Sequence, residues 1–456
     1  MSMGRLSMDR RRFLVLSAAA ASAMSSTVAA SAALGARGVE GSQFGLRPGS
    51  NDNQSRALQR ALDETARSGT PLALAPGRYR VGNLRLPAGT HLIGVRGATT
   101  LVLDDDASLL HAAGAQHVTL SGLVLDGQRR RLPDRRGLLH VDNARRLRIS
   151  DCEIRDAGGT AIACTAVDGE IVDTLVSDSS DVAIHSLDAR GLLIARNTIA
   201  GAGNNGIRVW RGTAGDDGTM VNDNRIEAIA NRSGGSGQYG NAINVFRAGN
   251  VIVRGNRIRN CAFSAVRGNA ASNLQVEGNS ISDVREVALY AEFGFEGALI
   301  ANNSVDRAAI GVSITNFNQG GRLASVTGNI IRNLLPKRPE GTDPGDGAGI
   351  GIAVEADTAV TGNVIDNAPM AGLILGFGQH LRDVAATGNV VRRADIGIGV
   401  SVSAGAGAAL IANNLIADVK RGAIVGMDRR QIIAGDLMRD GATRYAHLTL
   451  SGNRVR

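Results

Sequence analysis

A Gly-Asn pair followed by apolar, mostly β-branched residues recurs through this chain: RGNRI at 254, EGNSI at 277, TGNII at 327, TGNVI at 361, TGNVV at 387 and SGNRV at 451. Looser copies are ARNTI at 195, NDNRI at 222, ANNSV at 301 and ANNLI at 412, and weaker ones start at Asp151 (DCEI) and Asp173 (DTLV). The shortest spacings are 22 to 24 residues, and longer ones read as the same unit carrying an insertion. A period of this size is the mark of a solenoid. Each unit is too short for a helix pair and rich in Val, Ile, Gly and Asn, so it is built of strands.

A second phrase falls inside each period: TAIAC, VAIHS, NGIRVW, NAINVF, SAVRGN, VALYAE and IGVSIT. Its central apolar residues are Ile162, Ile184, Ile207, Ile243, Val266, Leu289 and Val312. Five of the six intervals between them are 22 or 23 residues; the sixth, 36, contains a glycine-rich insertion at 233–240. Alternation within a strand sends every second side chain inward, so Ile207 with Val209, Ile243 with Val245 and Leu289 with Ala291 should fill the bore. The repeated Asn should sit at a tight turn and bond the equivalent amide above and below, with the preceding Gly supplying backbone freedom. That role is structural and carries no chemistry.

These phrases resemble the pectate-lyase-like superfamily, which implies an all-β, single-stranded right-handed parallel β-helix over residues 101–456. Each coil would add one strand to each of three sheets. A cap would occupy residues 35–100, because an uncovered solenoid end offers free strand edges. Its helix is expected at about 52–68, capped by Asn51 or Asp52, with Leu58, Ala61, Leu62 and Thr65 on one face and Gly69 ending it. The order of cap helix, strand and Pro76-Gly77-Arg78-Tyr79 turn is similar to the start of many exported members.

Residues 1–34 read as an export signal. Asp9-Arg10-Arg11-Arg12-Phe13-Leu14 opens a short Ala-rich apolar run that closes near Ala30-Ser31-Ala32, and the paired arginines are of the twin-arginine type. That predicts a periplasmic or secreted protein handled by the twin-arginine translocase, with no membrane span in the mature chain. Signal and repeats together look like a family of twin-arginine-exported repeat proteins of unassigned activity. The net charge is +8, and only Lys337 and Lys420 are lysines, so the basicity is arginine. Guanidinium prefers carboxylate and phosphate. Scattered arginines on an exported protein point to acidic polysaccharide as partner and away from nucleic acid. Cys152, Cys164 and Cys261 are too few for a disulfide framework and read as small buried hydrophobes. A capped β-helix needs no partner, so a monomer is expected.

In such a fold function sits on an outward sheet face walled by insertions. The residue after each central apolar position gives a column of Ala163, His185, Arg208, Asn244, Arg267, Tyr290 and Ser313. Two residues further on lies a second column of Thr165, Leu187, Trp210, Phe246, Asn269, Glu292 and Thr315. Both are expected to turn bland at Ala163 and around Ile374. From His185 to Tyr290 the column spans ~19 Å at one strand spacing per coil. Eight of the thirteen aromatics lie between Trp210 and Phe317, where rings can stack on sugars. The 335–347 insertion is a candidate wall.

The candidate catalytic residues are therefore His185, Arg208, Arg267, Tyr290 and Glu292, with Trp210, Asn244, Phe246 and Asn269 binding substrate. In a polysaccharide lyase, Arg208, Asn244 or Arg267 would neutralise a uronate carboxylate and His185 or Tyr290 would move the proton. In a glycosidase, Glu292 and Glu286 would have to lie ~5–9.5 Å apart. The residues favour β-elimination over hydrolysis. A noncatalytic envelope protein, a binding or structural solenoid, is the alternative. The chain departs from enzymes of this fold: it has no Gly-His-Gly, no Arg-Ile-Lys and no aspartate cluster like the calcium site of pectate lyases. No metal or cofactor is expected, and calcium has no support in the residues.

Overall fold

The computed structural model describes residues 38–456 apart from Gln319 and residues 343–345, so the expected export signal lies outside the described residues. The chain is a right-handed parallel β-helix. One face is a sixteen-stranded sheet, and a 27-stranded sheet wraps the remaining two. Among the described residues, pairing between strands of successive coils is parallel throughout, and the single antiparallel strand pair joins Leu415–Asp428 to Gln431–Asp436. Three separate sheets were expected, but two of the three ladders merge. Early coils break the strand at a left-handed residue such as Arg307 (φ 63°), between Ser304–Asp306 and Ile310–Thr315. Later coils keep a left-handed residue there (Asn367, Arg393, Asp418) but carry the pairing past it with a register shift, so Val364–Leu375, Val390–Ser401 and Leu415–Asp428 run through the corner as single strands.

The bore holds one continuous apolar column. Ile162, Ile184, Ile207, Ile243, Val266, Leu289 and Val312 pair in register from coil to coil and are buried. At one corner stand the repeat asparagines: Asn197, Asn224, Asn256, Asn279, Asn303, Asn329, Asn363, Asn389, Asn414 and Asn453. From Asn224 onward each Oδ1 accepts both the main-chain N–H and the side-chain Nδ2 of the asparagine one coil earlier, as between Asn279 and Asn303 at 3.0 and 2.9 Å. The second Nδ2 hydrogen goes to a carbonyl, as from Asn279 to Val253 at 3.1 Å. No polar atom of the side chain is left over.

Upstream of Asn197, Thr174 and Cys152 hold the same column, each donating its main-chain N–H to the next member. The residue before every ladder asparagine is left-handed, with φ between 56° at Asn302 and 66° at Gly362. That restricts it to Gly, Asn or Asp, with Arg196 (φ 57°) the one exception.

The N-terminal helix runs Ser55–Ser68 and buries Leu58, Ala61, Leu62 and Thr65, ending at left-handed Gly69. Neither Asn51 nor Asp52 caps it. Asp52 accepts from Ser50 Oγ at 2.9 Å, and the Asn53 side chain takes the first helical N–H, from Ser55, at 3.0 Å. Much of the arginine is spent on the chain's own carboxylates: Arg196–Asp173, Arg307–Asp283, Arg382–Asp357 and Arg393–Asp366 are forked pairs between coils. The three cysteines are free and buried. No helix among the described residues is long and apolar enough to cross a membrane.

Candidate functional site

Strand pairing places both columns in register. Ala163, His185, Arg208, Asn244, Arg267, Tyr290 and Ser313 are successive partners, as are Leu187, Trp210, Phe246, Asn269, Glu292 and Thr315. Downstream the first column turns to Ala353 and Ile374, as expected. Upstream it does not stay bland. His140 pairs with Ala163, His111 with His140 and Arg85 with His111, and His140 Nε2 lies 2.8 Å from Asp142. These residues lie upstream of TAIAC, where the repeated phrase is too weak to show the register, although one period back from Ala163 falls on His140.

The face is less open than a bare column of polar side chains implies. Arg267 is 8% exposed and Glu292 and Glu286 only 1% each. Arg267 donates through Nε and Nη2 to the two oxygens of Glu292, at 2.7 and 2.8 Å, and through Nη1 to Glu286 at 3.4 Å. Burial is the largest single effect and works against its charge, but the bond to Glu292 together with the Glu292 and Glu286 charges outweighs it and holds its pKa up. Asn269 Nδ2 completes Glu292 at 2.9 Å.

Glu286 is where the two insertions meet. Ser236 of the glycine-rich loop donates to Glu286 Oε1 at 3.0 Å, and Arg338 of the 335–347 insertion reaches the same oxygen at 3.8 Å. Ser264 donates to its other oxygen at 3.1 Å. Sequence spacing had Arg267 as a surface residue; the folded loops make it an interior one.

Arg208 is also buried, under Trp210 (4.8 Å to the ring centre) and Tyr239 (5.4 Å), with Asp181 at 3.8 Å. Burial pushes its pKa down. His185 lies edge-on to Trp210, ring centres 5.6 Å apart, and burial followed by the Arg208 charge lowers its pKa to about 4. The imidazole is therefore neutral near pH 7. Tyr290 sits over Arg267, 4.7 Å away, and burial and then Glu292 push its phenol up to about 12, so it remains protonated. Asn244 is a brace: its Oδ1 accepts Trp210 Nε1 at 2.6 Å and its Nδ2 donates to Gly237 O at 3.3 Å.

Six of the nine predicted residues line one cleft of about 310 Å³: Trp210, Asn244, Phe246, Arg267, Asn269 and Glu292. Phe293, Gly237 and Gln238 complete it. Trp210 and Phe246 meet edge to face at 5.8 Å, Arg247 lies 4.7 Å over Phe246, and Phe293 is 38% exposed. Tyr290 belongs to a neighbouring cleft of about 380 Å³ with Ser313, Thr315 and Glu355. His185 and Arg208 line neither. Among the described residues no group of three or more His, Cys, Asp or Glu is placed to hold a metal ion.

A solenoid whose strands stack in parallel, with loops over one face and an asparagine ladder at one corner, is a β-helix protein in construction. The chain belongs to the right handed beta helix region family, whose model matches residues 109–236 and 212–391. Similar solved structures include the tailspike of E. coli bacteriophage HK620, 10% identical over 91% of this chain and 78% of that one, TM-score 0.54. The N-terminal fragment of bacteriophage phi29 gene product 12 is 14% identical over 88% and 71%, TM-score 0.53. The A-module of a mannuronan C-5 epimerase from Azotobacter vinelandii is 16% identical over 91% and 99%, TM-score 0.51. At these identities the likeness is one of fold. No curated protein sequence gave a significant match.

Proposed function

We propose that the Trp210–Phe293 cleft binds an acidic polysaccharide, and that binding is the protein's main activity. The observation that carries this is the pairing, in one cleft, of half-exposed rings (Trp210, Phe246, Phe293) with the Asn269 amide and the Arg267–Glu292 pair. Rings take the apolar face of a sugar, and fixed amide and guanidinium groups select its hydroxyls and its orientation. Arg247 at the rim and the net charge of residues 35–456, +5 once the +3 of residues 1–34 is taken from +8, favour an anionic polymer. The epimerase of like fold acts, by its name, on mannuronan.

Cleavage is the weaker part of this reading. A lyase needs a guanidinium free to face a uronate carboxylate, and Arg267 already holds two carboxylates. A glycosidase needs a carboxyl that donates a proton, whereas Glu286 and Glu292 both accept from Arg267. If turnover occurs, β-elimination stays ahead of hydrolysis, and of the two expected proton carriers only Tyr290 lines a cleft, the neighbouring one. Export by the twin-arginine route belongs to the same proposal and rests on residues 1–34.

Trp210 is the only tryptophan, so intrinsic fluorescence reports this cleft directly. Titration with uronate oligosaccharides should change it saturably, and by calorimetry Trp210→Ala should weaken binding about tenfold. A panel of uronate polymers that leaves the fluorescence unchanged defeats the proposal. Appearance of an unsaturated, ultraviolet-absorbing product would move the protein from binder to lyase.

A further inference from the structure

Beyond Tyr290 the same sheet face changes its chemistry. The column runs Tyr290, Ser313, Ala353, Ile374, and beside it Ile310, Ile350, Ile396, Val425 and Met427 form an apolar cluster separate from the main core. The antiparallel hairpin Leu415–Asp428 to Gln431–Asp436 folds back on this cluster, with Ile432 packing against it. What remains uncovered is the 380 Å³ cleft, a volume within the ~300–1,000 Å³ usual for small-molecule sites. Its walls are aliphatic (Ile310, Ile314, Ile350, Met370, Ile374), and Phe377, 40% exposed, stands at its edge. These aliphatic walls favour an alkyl or aryl group, with Tyr290, Ser313, Thr315 and Glu355 as the polar part of the lining.

The charges around the cleft have a sign. Glu355 is turned inward, its Oε2 accepting the main-chain N–H groups of Asn316 and Phe317 at 2.8 and 2.9 Å. Arg338 is held by Asp346 at 2.5 Å and by Glu286. Arg429 is exposed, makes no ion pair with a described residue, and lies against the bare backbone of Gly378. The carboxylates of Glu355 and Asp346 are thus engaged within the protein, and Arg429 is left as a cation at the edge of an aliphatic cleft.

We infer that this cleft binds the acyl or aryl group of an anionic amphiphile, with the anionic group on Arg429. Strand Val287–Glu292 gives Tyr290 to this cleft and Glu292 to the aromatic one, so the two are contiguous. The ligand class that fills both is an acidic glycan bearing an acyl or aryl substituent; that extension rests on the glycan reading above.

The test uses decanoate, decanol and acetate on the exported chain, by calorimetry. Decanoate should bind near one per chain, and about tenfold more tightly than decanol or acetate. Phe377→Ser and Arg429→Ser, both at exposed positions, should each weaken it about five- to tenfold. Absence of decanoate binding, binding unchanged in both variants, or equal affinity for acetate overturns the inference. Decanoate binding without any oligosaccharide response from Trp210 keeps this cleft and removes the glycan reading. Oligosaccharide binding without decanoate binding removes this cleft alone.

Discussion

Two ladders climb this solenoid, one at the asparagine corner and one on the sheet face, and both add one residue per coil. At the corner the residue is the same in ten coils from Asn197 to Asn453, and each amide is satisfied by its copies. On the face the residue changes at every coil, His185, Arg208, Asn244, Arg267, Tyr290, and each is satisfied by something different. Identity from coil to coil is what stacking alone requires. Variation at a fixed position means that loops, rings and charges brought from elsewhere decide each residue. The corner is a scaffold solved once, and the face is where a site can be written.

Breaking the face should cost most. Arg267→Met leaves Glu292 buried without its cation and Glu286 with Arg338 alone, at 3.8 Å, and should destabilise by about 3–5 kcal/mol. Adding Glu286→Gln and Glu292→Gln should restore much of it, since no buried charge is then unpaired. Denaturant midpoints on the single and triple variants check this; an Arg267→Met chain as stable as the parent would mean the pair is not desolvated. At the corner Asn303→Ala removes the acceptor of the Asn279 main-chain N–H and of one Nδ2 hydrogen, and the donor to Val276 O and Asn329 Oδ1. At ~1–3 kcal/mol for each buried group left unmade, roughly 3 kcal/mol is expected. Hydrogen exchange should show the loss confined to the neighbouring coils, because a solenoid contacts only its neighbours.

The face also has a pH signature that the corner lacks. His185 is held near pKa 4 against an ordinary 6.5, so between those values the unfolded chain binds a proton that the native chain refuses. Its contribution is complete above about pH 6.5, is lost as pH falls toward 4, and is flat below. The slope from this one group is at most ~1.4 kcal/mol per pH unit. Comparing thermal midpoints of the parent and His185→Gln across pH 4–7 tests it; parallel curves would mean that His185 is solvated.

How much of this was legible in the sequence follows from the same contrast. The corner could be read because its partners are its own copies: the Gly-Asn period gave the coil, the register and the inward residues without any tertiary knowledge. The register then placed Trp210 above Phe246 and Asn269 above Glu292, which is why six predicted residues share a cleft. What stayed hidden depends on insertions that have no period. Ser236 and Arg338 converge on Glu286 from loops about a hundred residues apart, and nothing in either loop announces the other. Tyr239, over Arg208, was missed for the same reason. The His140–Asp142 pair could have been found by extending the 22–23-residue period one coil upstream.

The smallest expected effect separates the two parts of the corner itself. Gly278 has φ 62° and nothing near the place where a Cβ would go, so a substitution there meets no neighbour and feels only the backbone. Gly278→Ala should cost about 1 kcal/mol, the penalty of the left-handed region for an ordinary L-residue. Gly278→Asn should cost less, since Asn302 and Asn413 already occupy the equivalent place at φ 56° and 57°. If both variants lose as much as Asn303→Ala, the Gly and the Asn of the repeat are not independent, and the turn and the ladder form one unit. If the order Asn303→Ala, Gly278→Ala, Gly278→Asn holds, the repeated pair divides its work: the first residue permits the turn, and the second supplies the bonds that stack it.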